Sequence, residues 1–563
     1  MTSLLLTAFA VVTGYIGLRF LRGLFTPRPQ FEQLPGPESV SWVTGNIGKL
    51  FQCDAWDYVR HLSEAYGQTC LIHNLFGAKG LLTYDPKAMH AIYIKDQDIW
   101  QRSNMSIEAG MALFGPGLLS TQGEIHRRQR KMLNPVFSAK YMREITPFFY
   151  QIVHKVRIGQ HPSRSQRTLA LTHTFSKLES AMATRVRAGQ EELDVVGWMG
   201  RAALELVGQG ALGHSFDPLV EDTKDEFTEH VKSFFPSIAD IMYGFAFLTL
   251  FKDVRGPSWL RRLVVRLWPD PAVQRVRRQV EMIYAFAQRL VAEKKNAVER
   301  GDEALLHRIG EGKDVMSVLL RENMAASEED RLPEEELVAQ IATFIVAGVD
   351  TTSNALARAL DILSVRPEAQ ERLRHEVLEA REQYGQEIPY NELSSLPYLD
   401  AVCRETMRLH PSVTFTQRAA KQDTVLPLSV PVNGIDHIAV PKGVEVLTNI
   451  AACNTNKALW GDDAYEWNPD RWLRPLPTAV EEARIPGIYA NSFSFGGGGY
   501  SCIGFKFSQL EMKVVLSSLI ASFRFERSSK GFVWNLAGVA FPTAGFGDKD
   551  PEMFLKVTCV NLA

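Results

Sequence analysis

A glycine-rich loop that carries one cysteine to the start of an apolar helix is the feature that most constrains this chain. The loop runs over 495–504, and residues 496–499 are four consecutive glycines. Glycine reaches backbone angles that other residues cannot, so this loop can approach a flat surface closely. Apolar residues recur at helical spacing from Phe505 to Ile520, which predicts a buried helix that begins just after Cys502. Free N–H groups and the positive dipole end at such a start favour a thiolate over a thiol.

A lone thiolate on a glycine loop suits the axial ligation of haem iron, whereas the alternative is a buried structural cysteine beside a turn. The fixed positions of the loop are Phe495, Gly498, Cys502 and Gly504. Their spacing resembles the haem-binding loop of the cytochrome P450 superfamily. Members of that family usually carry Arg or His two residues before the cysteine, where it binds a haem propionate, and this chain has Tyr500. A phenol brings no charge, so we expect other cations to hold haem b.

Bulk composition narrows the classes of function. The chain has 563 residues, which leaves one large domain with subregions or two domains open. Its 62 basic and 64 acidic residues give a net charge of −2, so no basic field for nucleic acid is expected. The six cysteines include no C-x-x-C pair, which argues against a zinc box or a disulfide framework and favours a reducing compartment.

The N-terminus predicts a membrane anchor. The apolar run from Leu4 to Leu18 would span about 22 Å as a helix, and it lengthens if Arg19 and Arg22 extend their charged ends to the interface. A cleaved signal peptide is the alternative, but no basic residue precedes the run. We therefore expect a single transmembrane helix within 1–26. Basic residues after it place the rest of the protein in the cytosol, and the resemblance implies the endoplasmic reticulum membrane.

The remaining chain divides into a proline-rich tether, 27–37, and a haem-thiolate domain, 38–563. Helical and alternating patterns predict a helix over Trp56–Tyr66 and paired strands within Thr69–Tyr84. Trp100–Ser120 is interpreted as a loop that forms either a mobile lid or an ordinary packed connection. The segment 157–176 is polar and aperiodic, and it is either an exposed loop or a translated intron.

Three later stretches are assigned by pattern. Pro257–Trp268 interleaves apolar and arginine residues, which suggests membrane contact. Alternation within Val425–Leu447 predicts a second small sheet. Phe532–Trp534 and Ala537–Pro542 predict a hairpin that could touch substrate.

A basic helix opens at Gly123 and reads as a solvated charged face when taken alone. In the resembled family this helix usually carries a Trp and, four residues later, an Arg, both facing propionates. The matching positions are His126 and Arg130. The resemblance therefore implies that both contact the cofactor, together with Arg418 further along the chain.

A long helix is predicted from near Pro333 to Leu360, with polar residues in its middle. An isolated Asp-Thr-Thr is usually a polar face with a capping role. Preceded by Ala347-Gly348, it resembles the family's oxygen-activation motif. That resemblance implies that Gly348 lets the backbone open, that Thr351 donates a hydrogen bond to dioxygen and that Asp350 relays protons.

Glu405 and Arg408 lie three residues apart on a predicted helix. The resemblance implies that both pair with Arg471 and brace the core behind the haem as structural residues. A cationic patch on the thiolate side is also expected, with solvated lysines and arginines as the alternative. Its members are Arg127, Arg128, Lys131, Lys506 and Lys513.

The resemblance implies a mainly α-helical cytochrome P450 fold with small β-sheets and haem b, to which the N-terminal sequence adds a transmembrane helix. The implied activity is insertion of one oxygen atom into an apolar small molecule, with electrons from an NADPH-cytochrome P450 reductase. Short stretches of the sequence are similar to those of fungal members that modify terpenoids, which suggests terpenoid secondary metabolism. The protein is expected to be a monomer at a membrane. The alternatives are an isomerase, dehydratase or sensor without oxygenation, or a fatty-acid or xenobiotic hydroxylase.

Overall fold

The computed structural model describes residues 29–153, 178–216, 226–241, 258–300 and 314–560. The predicted anchor, 1–26, and the aperiodic segment, 157–176, lie outside these ranges. Within them, no helix combines the length and apolar character that a bilayer crossing requires.

Most of the described chain is helical. The first ten labelled helices are α1 (Ile47–Leu50), α2 (Trp56–Tyr66), α3 (Pro86–His90), α4 (Asn104–Phe114), α5 (Gly123–Leu133), α6 (Ala139–Val153), α7 (Leu178–Arg187), α8 (Val195–Leu206), α9 (Glu226–Lys232) and α10 (Ser258–Leu267). The next ten are α11 (Pro271–Arg300), α12 (Val315–Ala325), α13 (Glu334–Ser364), α14 (Pro367–Tyr384), α15 (Tyr390–Ser395), α16 (Pro397–Leu409), α17 (Ile450–Asn454), α18 (Lys457–Trp460), α19 (Thr478–Ala483) and α20 (Phe505–Ser522). The predicted bounds of α2 are confirmed, as is the predicted long helix, now α13.

Short strands form small sheets beside the helices. The strands are β1 (Thr69–His73), β2 (Lys79–Thr83), β3 (Trp100–Gln101), β4 (Glu192–Asp194), β5 (Phe415–Ala420), β6 (Thr424–Val432), β7 (Ile435–Val440), β8 (Glu445–Asn449), β9 (Phe523–Arg527), β10 (Val533–Asn535), β11 (Phe541–Thr543) and β12 (Phe554–Cys559). One sheet has the order β1-β2-β8-β5-β3, another β4-β12-β9, and β6/β7 and β10/β11 are separate pairs. The predicted hairpin near the C-terminus is confirmed as β10/β11.

Helix α13 runs through the main hydrophobic core. Nearly all of its side chains from Glu336 to Ser364 are buried, and it packs against α8, α11, α16 and α20. Its 31 residues span about 46 Å at the α-helical rise. The resulting scaffold holds the middle of α13 and the start of α20 next to each other, because the Thr352 hydroxyl donates to the Ser508 hydroxyl at 3.2 Å.

Two sequence interpretations were wrong in part. Trp100–Ser120 is not a loop: it contains β3 and α4, whose first turn is capped by the Ser103 hydroxyl at 3.2 Å from the Ser106 nitrogen. Val425–Leu447 does not form one sheet. Strands β6 and β7 pair with each other, whereas β8 joins the other sheet through a parallel pairing with β2. That pairing is long-range, so local alternation carries no signal for it.

Candidate active site around Cys502

The glycine loop folds tightly against the rest of the protein. The Cys502 N–H donates to the Phe495 carbonyl at 2.8 Å, which closes the loop. Gly498 has a φ of +64°, and a Cβ there would lie 1.9 Å from the Tyr93 carbonyl oxygen. Only glycine satisfies both conditions. Gly504 precedes the first residue of α20, and no protein atom lies within 4 Å of the position its Cβ would take.

Cys502 has accessible surface, although the surrounding protein desolvates its sulfur. The space beside this side chain is called the cleft below. Desolvation raises the pKa of its thiol, while the Gly504 backbone and the charge of Arg130 act in the opposite direction. The start of α20 is therefore not enough to produce the thiolate that the sequence predicts. A metal cation at the sulfur deprotonates a coordinating thiol outright.

Phe495 packs behind the loop as a buried aromatic residue. Its ring makes edge contacts with Tyr489 and Phe505 at centroid distances of 5.3 and 5.7 Å. The Tyr489 hydroxyl in turn donates to the side-chain amide oxygen Oε1 of Gln509 at 2.8 Å. Phe495 therefore ties the loop to the first turns of α20.

Tyr500 lies at the centre of a cluster of basic side chains. Its ring centroid is 4.2 Å from that of His126, and the guanidinium carbons of Arg102 and Arg418 lie 5.3 and 5.4 Å from it. These distances are typical of cation–π contacts. The Tyr500 hydroxyl accepts a hydrogen bond from the Gly123 N–H at 3.3 Å, so the loop also contacts the start of α5.

The basic side chains of this cluster are close together and desolvated, which suits the binding of an anion. Within the described ranges, Arg102, Arg130 and Arg418 form no ion pair with a carboxylate. Desolvation, then the charges of Arg102, Arg130 and Arg418, lower the pKa of His126 to about 3. Desolvation and the charge of Arg418 lower the pKa of Arg102 to about 10. Each of these effects disfavours positive charge unless an anion binds.

Arg102 was missed by the sequence interpretation, which assigned Trp100–Ser120 to a loop. Its guanidinium donates to the carbonyl oxygens of Leu118 and Leu119, which holds it over Tyr500. A single Arg in an irregular stretch carries no periodic signal. The contact that matters joins residues almost 400 positions apart, from 102 to 500.

Arg130 contacts the loop directly. Its guanidinium donates to the carbonyl oxygen of Ser501 and, at 3.3 Å, to the Ser501 hydroxyl. It therefore fixes the residue before Cys502 as well as carrying charge near it. Arg418 donates to the Gln417 carbonyl at 2.8 Å and packs over the ring of Tyr93.

This donor set fits haem b. Its iron binds a thiolate, for which Cys502 is placed, and its propionates require cations, which Arg102, Arg130 and Arg418 supply.

Most of α13 is buried, but neighbouring residues in its middle form an accessible stripe. Ala347, Gly348 and Thr351 are partly exposed, whereas Val349 and Thr352 are buried. The Thr351 hydroxyl donates to the Ala347 carbonyl at 2.7 Å. The helix does not open here, and a Cβ on Gly348 would lie 2.9 Å from a Val207 methyl carbon. In this structure Gly348 therefore serves close packing against the segment after α8.

Asp350 is buried on the other side of α13. Desolvation raises the pKa of its carboxyl well above the usual value, while the charge of Lys232 and a hydrogen bond to the Phe235 backbone lower it. A cavity of about 20 Å³ is lined by Asp350, Lys232 and Val539, among others. That volume is enough for one water molecule. Asp350 is thus a buried carboxyl with a raised pKa that borders a water-sized space.

Glu405, Arg408 and Arg471 form one buried network. Arg408 makes two bonds of 2.8 Å to the Glu405 carboxylate, and Arg471 approaches the same carboxylate at 3.4 Å. The Trp472 indole and the Asn468 N–H also donate to Glu405, both at 3.0 Å. The three residues that the sequence assigns to a structural role are therefore brought together.

The expected cationic patch is largely neutralised. Arg128 pairs with Glu336 at 2.6 Å and Lys131 with Asp330 at 2.8 Å. Arg127 pairs with Glu124 at 2.6 Å. Lys513 does not belong to the patch, because it is buried and pairs with Asp400 at 2.7 Å. The sequence interpretation of Lys513 was wrong, since helical spacing alone does not show which face meets a neighbouring helix.

Comparison with known proteins supplies the family context. The sequence model of the cytochrome P450 family matches residues 35–538. The chain is 46% identical to cytochrome P450 monooxygenase 91 of Postia placenta over 98% of each chain. It is 45% identical to a ganoderic acid synthetase of Ganoderma lucidum over 99% of this chain and 98% of that protein. It is 43% identical to cytochrome P450 monooxygenase 212 of Postia placenta over 93% of each chain.

Proposed function

The chain belongs to the cytochrome P450 family, and we propose that this haem-thiolate monooxygenase oxidises an apolar terpenoid in fungal secondary metabolism. One observation carries the choice of substrate class: the 45% identity, over almost the full length of both chains, to a protein named as a ganoderic acid synthetase. The monooxygenase activity itself follows from the family and from its relatives.

Haem b is the cofactor of this family, and Cys502 is the residue that would ligate its iron. When bound, haem supplies the reductive activation of dioxygen. Arg102 and Arg418 would pair with its propionates, and Arg130 would hold the cysteine loop through Ser501. The flat ring of Tyr500 would keep the two cations in place without adding a charge of its own.

Thr351 and Asp350 are proposed to handle protons. Thr351 lies on the accessible stripe of α13, and rotation about χ1 would release its hydroxyl from the Ala347 carbonyl. Asp350 is a buried carboxyl with a raised pKa, next to Lys232 and a water-sized cavity. Such a group can pass a proton inward and regain one through water, which is the requirement for a relay.

The protein is proposed to work at the cytosolic face of the endoplasmic reticulum membrane through the anchor, 1–26, and the tether, 27–37. A surface feature supports membrane contact: α10 and the next residue expose several large apolar side chains beside Arg266. They are Leu263, Val264, Val265, Leu267 and Trp268, with Leu267 71% exposed. An apolar face flanked by arginine suits the interface of an anionic bilayer.

Enzymes of this family draw electrons from a redox partner, and an NADPH-cytochrome P450 reductase is the partner proposed here. The enzyme is proposed to act as a monomer beside that reductase. Apolar substrate would enter a site bordered by the β10/β11 hairpin and the stripe of α13.

The test is co-expression with a reductase in microsomes, followed by spectral screening against a panel of terpenoids, with fatty acids and drug-like compounds as matched panels. We expect a spin-state shift with terpenoids and NADPH-dependent formation of a product that is heavier by one oxygen atom. A response confined to fatty acids or drug-like compounds would exclude the terpenoid assignment. Absence of NADPH-driven oxidation in all panels would contradict oxygenation.

A further inference from the structure

Ser412 makes a long-range contact with the backbone of the residue assigned to oxygen chemistry. Its hydroxyl donates to the Thr351 carbonyl oxygen at 2.8 Å. Ser412 follows α16 by three residues and is only 8% exposed. In an α-helix the carbonyl of Thr351 already accepts the N–H four residues later, so Ser412 occupies its second lone pair.

The hydrogen bond from Ser412 matters at Thr351 because it fixes the backbone from which the Thr351 hydroxyl acts. The Thr351 hydroxyl donates to the Ala347 carbonyl at 2.7 Å and must break that bond to act in the cleft. Thr divides between two χ1 rotamers in helices because its hydroxyl can bond the preceding turn, so the exchange is accessible. The distance that the hydroxyl then spans is set by the position of the Thr351 backbone, which Ser412 fixes from outside the helix.

Ser412 is also joined to the C-terminal hairpin. Its carbonyl oxygen accepts the Ala540 N–H at 2.9 Å, in the connection between β10 and β11. Val539, one residue earlier, borders the small cavity that Asp350 and Lys232 share. One serine therefore bonds α13 through its hydroxyl and the hairpin through its backbone.

We propose that Ser412 is a positioning residue that holds Thr351 at the right distance for proton delivery and links that distance to the β10/β11 hairpin. The inference rests on the proposed roles of Thr351 and of oxygen reduction. It assigns no contact between Ser412 and substrate or cofactor.

Two substitutions that introduce side chains of nearly equal shape separate the effect of the Ser412 hydroxyl from the effect of side-chain volume. Ser412→Thr and Ser412→Val each extend the side chain, but only Thr keeps the donor. Ser412→Ala removes the donor without adding volume. All are made in the full chain, loaded with haem and supplied with reductase and NADPH.

The readout needs no identified substrate. Without substrate, one NADPH and one proton reduce dioxygen to hydrogen peroxide, whereas two NADPH and two protons reduce it to two waters. Efficient proton delivery from the Thr351 side favours complete reduction of dioxygen to water, whereas inefficient delivery favours release of hydrogen peroxide. The measured quantities are NADPH and dioxygen consumed and peroxide formed.

We expect Ser412→Val and Ser412→Ala to raise the ratio of peroxide to water about fivefold, the effect of losing one hydrogen bond. Ser412→Thr should stay near the parent ratio. In a Thr351→Ala background, Ser412→Val should add nothing further, because a residue that acts through Thr351 has no effect without it.

Equal ratios for Val, Thr and the parent would overturn the proposal. So would a lower thermal midpoint in Ser412→Ala with an unchanged ratio, since that is the result of a purely structural bond. A parent enzyme that consumes neither NADPH nor dioxygen, both without substrate and with each of the substrate panels, would instead contradict the proposed function, so the two failures are distinguishable.

Discussion

The imidazole of His126 and the phenol of Tyr500 lie face to face within 4.2 Å, with their ring planes inclined by 33°. Two arginine side chains approach the Tyr500 ring as well, so residue 500 contacts cationic side chains instead of carrying a positive charge itself. The charge that related proteins place in the cysteine loop is thereby moved to Arg102 and Arg418. This arrangement leads to the first prediction.

Tyr500→Arg should not raise haem content, although it restores the residue that the family usually carries. A third guanidinium would face Arg102 and Arg418, and like charges at this distance repel. Haem per protein, measured by absorbance, is expected to stay level or fall. Tyr500→Phe is the control, since it keeps the ring and loses only the hydroxyl. A large gain in haem content with Arg would show that Arg102 does not compensate.

The neutral state of His126 predicts a pH dependence of stability. Its pKa falls from 6.5 to about 3 on folding, so the unfolded chain binds one more proton than the folded chain between those values. Stability is therefore lost as the pH falls below about 6.5, at about 1.4 kcal/mol per pH unit for one group. In the apoprotein, His126→Asn should flatten this decline in denaturant unfolding measured from pH 7 to about 4. Parallel curves for the two proteins would contradict the assignment.

Two ion pairs with the same i,i+3 spacing should differ in how much each contributes to the free energy of unfolding. Glu405 and Arg408 are both 0% exposed, whereas the side chains of Glu124 and Arg127 are 84% and 61% exposed. Arg408→Ala leaves a buried carboxylate without its main partner and should cost about 3–5 kcal/mol. Arg127→Ala should cost less than about 1 kcal/mol. Thermal unfolding and the yield of folded protein measure both, and similar losses would contradict the burial argument.

The neutralised patch predicts weak salt dependence of electron transfer. Arg127, Arg128 and Lys131 each pair with a carboxylate, which leaves little net charge to steer an acidic reductase. Reductase-driven NADPH oxidation should change less than about threefold between about 0.05 and 0.5 M salt. Glu336→Gln would free Arg128 and should steepen the dependence. A steep dependence in the parent would show that the ion pairs open when the partner binds.

Cys502→Ser should remove the thiolate signature of the haem protein. In the resembled family the thiolate gives the reduced carbonyl complex a red-shifted Soret band, and a hydroxyl oxygen does not reproduce that donor. Cys403→Ser is the matched control, because Cys403 is buried in the core near Tyr489 and Lys513. Persistence of the band in Cys502→Ser would remove the ligand assignment.

The sequence predicts the helices and the cysteine loop, because local sequence patterns specify both. Trp56–Tyr66 has clear helical spacing, and α2 has those bounds. The helix over α13 was predicted from its periodicity and its acidic start, and it begins one residue after Pro333. Cys502 and its glycines were identified because their spacing is rigid and lies within one short segment.

The rest depended on contacts between distant parts of the chain. The role of Arg102 is inferred from its contact with Tyr500, and the role of Ser412 from its hydrogen bond to Thr351. Neither partner lies nearby in sequence. Lys513 reads as a surface lysine until Asp400 on α16 is placed against it. Strand β8 follows β6 and β7 closely in sequence but pairs with β2, which no local pattern specifies.

The bonds from Arg130 to Ser501, and from the Gly123 N–H to Tyr500, also bear on protein engineering. They make the basic helix α5 and the cysteine loop one unit, although about 370 residues separate them. Chimaeras built by recombining homologues would break this unit at any crossover that takes one segment without the other. The two segments should therefore be exchanged as a linked pair, with Arg102 carried along, when parts of this enzyme are grafted into its relatives.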